Sequence, residues 1–179
     1  MKFIHMVVQV FFIAIVVLWA TGCNDSSTCV HGDHSDFGII EHGCDHMTDE
    51  GVVIEAASTH PGLQLEDFYH TLFRVVLTDI EGGKGGYIYL GPDITGDVFV
   101  MTSEDVPLEI TNSTAEGVAQ SEIERTFTAQ QIAEETGCEL IKKAIVFSAN
   151  PGENIIKIGP TAFDTVEVII EEGSHGHSH

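Results

Sequence analysis

Positive charge is the scarcest property of this chain. Its 179 residues hold seven Lys and Arg against 28 Asp and Glu, a formal net charge of −21. Six of the seven bases and all 28 acids lie past Cys23. That part of the molecule repels nucleic acid and anionic headgroups and gathers cations, so nucleic acid is excluded as a partner. Catalytic signatures are missing too: there is no G-x-S-x-G elbow, P-loop, H-E-x-x-H, dinucleotide fingerprint or EF-hand spacing. No enzyme class is indicated, and a non-catalytic protein is expected. Long apolar runs are absent but for one at the start, "MVVQVFFIAIVVL" from Met6 to Leu18, about 13 residues where a spanning helix needs roughly 20.

That run follows Lys2 and has the form of an export signal occupying residues 1–22. Behind it stands "ATGC", Ala20 to Cys23, which resembles the lipobox of bacterial lipoproteins. Gly22 and Cys23 fit the pattern, while Ala20 stands where Leu is usual and Leu18 lies two residues further back. The resemblance implies that Cys23 is lipidated and that the protein sits in the cell envelope, held to a bacterial membrane and facing the periplasm or the exterior. Acyl chains contribute about 0.8 kcal/mol per buried CH₂, so several of them anchor durably. The other reading of the same residues is a secreted protein cut near Gly22, with Cys23 left as a thiol.

Residues 23–49 are rich in Asp, Ser, Gly and His, and read as a tether. From residue 50 the pattern changes to short β-type runs, "VVIEAAS", "LFRVVLT", "YIYL", "DVFVM", "LEIT", "KAIVFSA", "NIIKI" and "VEVII", separated by Gly- and Pro-bearing turns. About eight strands over residues 50–172 predict an all-β domain, an antiparallel Ig-like or cupredoxin-like sandwich. One short helix is expected at "TAQQIAEETG", where Thr128 and Gln131 have capping-box spacing and Gly137 is placed to stop it. "LGPDITGDVFV" (Leu90 to Val100) aligns without gaps on "IGPTAFDTVEV" (Ile158 to Val168). This echo predicts two equivalent hairpins or corners on opposite halves of the sandwich, unless such Gly-Pro turns recur by chance.

The chemistry is concentrated in "HGDHSDFGIIEHGCDHM", His31 to Met47, with four histidines, one cysteine, one methionine and four carboxylates. Imidazole, thiolate and carboxylate are the ligands of borderline divalent metals. His31 and His34, three apart, and His42 and His46, four apart, can each chelate as a pair, with Cys44 and Met47 as further candidates. The tail, residues 173–179, adds His175, His177 and His179 at alternate positions. His60 and His70 are available to complete a cluster from the domain, although a surface or locally hydrogen-bonded role is the simpler expectation for each. In composition these segments are similar to the His- and acid-rich loops of bacterial periplasmic zinc-handling proteins, and "EHGCDHM" resembles stretches of small uncharacterised exported proteins. Zinc is therefore the expected ion, with copper or nickel as alternatives.

Cys44 has a competing use as a disulfide partner of Cys138. That bridge would close a loop of about 95 residues and contribute up to roughly 4.7 kcal/mol in the chain-entropy account. That bridge is the favoured reading, although spacing alone does not exclude pairing of Cys29 with Cys44, or a reduced or metal-bound Cys44. Two functions follow. One is a membrane-anchored extracytoplasmic metal-binding lipoprotein that buffers, senses or delivers its ion, to a periplasmic protein partner in the last case. The other is a non-catalytic interaction or structural lipoprotein with incidental histidines.

Overall fold

The computed structural model describes residues 35–173. Cys23, Cys29, His31, His34, His175, His177 and His179, and with them the expected signal and tail, lie outside the described residues. In chain order the elements are α1 (Asp36–His46), β1 (Val52–Glu55), β2 (Leu63–Leu65), β3 (Phe73–Val76), β4 (Thr78–Ile80), β5 (Gly83–Leu90), β6 (Gly96–Thr102), β7 (Leu108–Thr114), β8 (Gly117–Gln120), β9 (Ile123–Thr128), α2 (Ala129–Thr136), β10 (Lys143–Ala149), β11 (Glu153–Thr161) and β12 (Thr165–Glu172). Sheet A has the order β1-β3-β12-β6-β10-β9, and sheet B the order β2-β5-β11-β7-β8, with β4 also paired to β5.

The fold is β-rich, but the described residues form twelve strands and two helices where about eight strands and one helix were expected. All eight apolar runs form strands. The four additional ones, β2, β4, β8 and β9, are short or lie at a sheet edge. One face of such a strand meets water, so no apolar run announces it. The sheets are also not purely antiparallel, since β1 pairs with β3 and β2 with β5 in parallel.

Strand alternation sorts the apolar residues into two cores. Val98 and Val100 of β6, Ile145 and Phe147 of β10, and Val166, Val168 and Ile170 of β12 join Ile88, Leu90, Leu108, Ile110, Ile156 and Ile158 of sheet B in one cluster. The intervening residues Phe99, Met101, Ala144, Val146 and Ile169 point the other way, into a second cluster with Ile40 of α1 and Ile132 of α2. Sheet A is therefore covered on both faces, by sheet B and by the helices. That accounts for its near-continuous apolar strands.

The echoed segments are two corners, each leading from sheet B to sheet A: β5 into β6, and β11 into β12. They do not sit on opposite halves. β5 lies beside β11 and β6 beside β12, with Ile88 opposite Ile156 and Met101 opposite Ile169. These two pairs are the ones that the 68-residue offset of the echo superposes, so a pseudo-two-fold passes through both sheets there.

The expected tether is the other departure. From Ser35 it is α1, capped by the Ser35 hydroxyl accepting from the Gly38 amide, with Asp36 in the first turn. Phe37, Ile40, Cys44 and Met47 recur at helical spacing, and Ile40 is 0% exposed. Full burial of such a side chain stabilises by about 1.5–3 kcal/mol. Gly43 allows the close approach, because a Cβ there would lie 2.6 Å from the Met101 sulfur. The second helix forms as expected, with a complete Thr128–Gln131 capping box and Gly137 left-handed at φ 75°.

Candidate metal centre

Two residues four apart on a helix share one face, and α1 uses this to place His42 beside His46, with ring centroids 4.9 Å apart. His70 approaches from the turn between β2 and β3, 4.9 Å from His42 and 5.1 Å from His46 by ring centroid. The fourth member is Glu171, one residue from the end of β12. It lies on the same strand face as Ile169, under the helix layer, and is 4% exposed. One ligand atom from each of His42, His46, His70 and Glu171 lies within 4.8 Å of the other three.

Two of the separations are much shorter. His42 Nε2 is 3.0 Å from His70 Nδ1, and His70 Nδ1 is 3.2 Å from Glu171 Oε1. Metal bonds of roughly 2.1 Å directed to the corners of a tetrahedron put ligand atoms about 3.3–3.5 Å apart, so both distances are close to edges of such a site. Protons cannot satisfy these atoms equally well. A hydrogen on His70 Nδ1 would have to be shared between the two contacts, one on His42 Nε2 serves only the contact with His70, and the buried Glu171 Oε1 has no hydrogen-bond donor among the described residues. His70 Nδ1 approaches that oxygen without hydrogen-bond alignment. A buried carboxylate oxygen facing nitrogen lone pairs is an arrangement that a cation satisfies and water does not reach.

The surroundings fix the rings. Asp49 Oδ2 lies 2.8 Å from His46 Nδ1. A carboxylate only accepts, so Nδ1 carries the proton and Nε2 keeps its lone pair for a metal, the carboxylate–histidine–metal relay of many such sites. His70 is held in the left-handed region at φ 54°, as is Asp67 at φ 49°. The Thr71 hydroxyl donates to the carbonyls of Asp67 and Tyr69 and braces this turn. Tyr69 donates its hydroxyl to Glu172, next to the site carboxylate. Burial first, then that hydrogen bond and the charges of Glu172 and Glu171, raise the Tyr69 phenol above its ordinary range. It stays a donor.

Of the residues singled out in the sequence, the structure brings together His42 and His46 and joins them to His70. Cys44 is bonded to Cys138 with a Cα separation of 6.1 Å, so its sulfur is engaged and presents no thiolate. Met47, expected as a candidate ligand, is 6% exposed and packs in the second apolar cluster. His60 instead faces Tyr87 edge-on at 6.2 Å. Glu171 was not anticipated. Its only signal is the strand period, which puts it on the face of Ile169 in "VEVIIEE". No protein-family model matches the chain, and a search of curated proteins finds no relative.

Proposed function

We propose that this chain is a lipid-anchored, extracytoplasmic protein that binds one divalent metal ion, zinc in first place, through His42, His46, His70 and Glu171. On this reading it buffers, senses or delivers the ion and catalyses no reaction. The observation that carries the proposal is the convergence of three imidazoles on a buried carboxylate oxygen that has no donor among the described residues. Nitrogen and oxygen ligands without sulfur favour zinc, nickel or Cu(II) over Cu(I). Four protein ligands complete a tetrahedron and leave no open position, which is the pattern of holding sites and not of catalytic ones. The Cys44–Cys138 bridge supports an oxidising compartment, and the lipobox-like "ATGC" supports anchoring at Cys23. The shared core of the two sheets supports an Ig-like or cupredoxin-like relationship, widened by edge strands.

Calorimetric zinc titration of the full chain tests the reading. Wild type is expected to show one tight site, which His42→Ala/His46→Ala loses and which deletion from Ser174 onward retains at lower total stoichiometry. A double variant that binds as tightly as wild type would hand the function to the second reading, an interaction or structural protein with incidental histidines.

A further inference from the structure

Cys44 lies on α1 two residues after His42 and two before His46. At 3.6 residues per turn it projects about 160° away from both imidazoles. The helix thus carries two metal ligands on one side and its covalent anchor, to Cys138 just past the end of α2, on the other. The other two ligands belong to a different part of the molecule, His70 to the turn before β3 and Glu171 to β12. The site is complete only while α1 stays docked.

We propose that the Cys44–Cys138 disulfide controls the affinity of this metal site: the oxidised form holds the ligand-bearing half of α1 in place, and reduction weakens binding and releases the ion. The inference rests on the metal-binding reading above and deepens it. Isolated helices of this length are marginal in water, so α1 depends on its anchors. Those of its first half are side chains: Phe37 against Phe127 at 5.2 Å, buried Ile40, and Asp36 3.1 Å from Arg125. Between His42 and His46 the helix has only Gly43, which brings no side chain, Cys44, and exposed Asp45. Just past the helix Met47 packs in the second apolar cluster, so the disulfide is the one covalent anchor of that half and the only side-chain tie between the two ligands. Opening it frees no substitute ligand, because the Cys44 thiol points away from the imidazoles and reaches them only if the helix unwinds. The reductant is a protein dithiol: two electrons and two protons pass to the Cys44 and Cys138 sulfurs, and the donor is left as a disulfide. Linkage makes the effect mutual, since whatever factor the disulfide adds to metal affinity, bound metal adds to the resistance of the disulfide to reduction.

The full chain in detergent, titrated with Co²⁺ as a spectroscopic probe, tests this. The reference signal is the visible absorption present in wild type and absent in His42→Ala/His46→Ala. Reduction by a phosphine consumes water, yields two thiols and a phosphine oxide, and adds no competing thiol. We expect the reduced protein to bind Co²⁺ at least about fivefold more weakly, the lower end of ordinary coupling, with no thiolate-to-cobalt band. Cys44→Ser/Cys138→Ser should match it. In thiol–disulfide buffers at fixed free Co²⁺, the loaded protein should need more reducing conditions for half-reduction, by the same factor. This arm uses no variant, so misfolding of one cannot obscure the answer. Equal affinity in both redox states overturns the coupling while leaving the metal site standing. Tighter binding with a thiolate band overturns it in favour of Cys44 as a ligand. Absence of the site signal in the oxidised protein overturns the metal reading and the coupling together.

Discussion

Glu171 is the residue on which the site turns. A carboxylate at 4% exposure with one oxygen lacking a donor is costly without a cation; such groups cost about 1–3 kcal/mol, more when charged. Glu171→Gln should therefore leave the metal-free protein as stable as wild type or more so, by up to about 3 kcal/mol, and should abolish most of the stabilisation that zinc confers. Urea denaturation with and without zinc reads both effects. A variant that is destabilised without metal and still gains wild-type stabilisation from zinc would mean that Glu171 is structural and not a ligand. Asp49 acts one step further out, by holding His46 Nδ1–H at 2.8 Å. Asp49→Asn keeps the shape but weakens the orienting contact, and zinc affinity should fall by about 10–100-fold, the usual loss for an outer partner. An unchanged titration curve would show that His46 is oriented by packing alone.

At the scale of elements, α1 decides whether there is a site at all. Ile40 is 0% exposed in the cluster beneath the helix layer, and Ile40→Ala should cost about 2–5 kcal/mol and weaken zinc binding with it. Thr128→Ala, which removes the cap of α2, should cost about 1 kcal/mol and leave zinc affinity unchanged. Thermal melts and titrations on the two variants separate docking of α1 from general stability. The same helix explains what the sequence made legible. The apolar runs became strands, and all but the edge strand β1 have half or more of their apolar residues buried; the Thr128–Gln131 box and Gly137 are local devices that need no partner. "DFGIIEHGCDH" contains two glycines, two histidines and three acids, poor helix formers in part, and read locally it is a tether. Its helical stripe of Phe37, Ile40, Cys44 and Met47 acquires meaning only against the outer face of sheet A. Glu171 was hidden for the same reason. A glutamate near the end of a strand reads as solvated until a helix covers it, and the turn that brings His70 beside His42 is a long-range contact no spacing predicts.

For the whole molecule the proposed membrane attachment makes its own predictions. Among the described residues no helix is long and apolar enough to cross a membrane, and the chain's formal charge of −21 sets it against anionic headgroups. Electrostatics cannot hold it there, so anchoring on our reading falls to Cys23, where two or more acyl chains would supply a durable hold that one chain does not. Wild-type protein should accordingly fractionate with membranes through high salt and leave them only in detergent. Its N-terminal peptide should begin at Cys23 and carry acyl mass. Cys23→Ser, once its signal has been removed, should appear in the soluble envelope fraction and bind zinc as wild type does, because the ligands lie in the folded domain and not in the anchor. Mass spectrometry of the N-terminus shows whether the signal is gone, which matters because an uncleaved apolar run would hold the protein by itself. A processed Cys23→Ser protein that remains in the membrane pellet through high salt would place the hold in the domain, and would turn attention to its exposed edge-strand valines, Val52 and Val53.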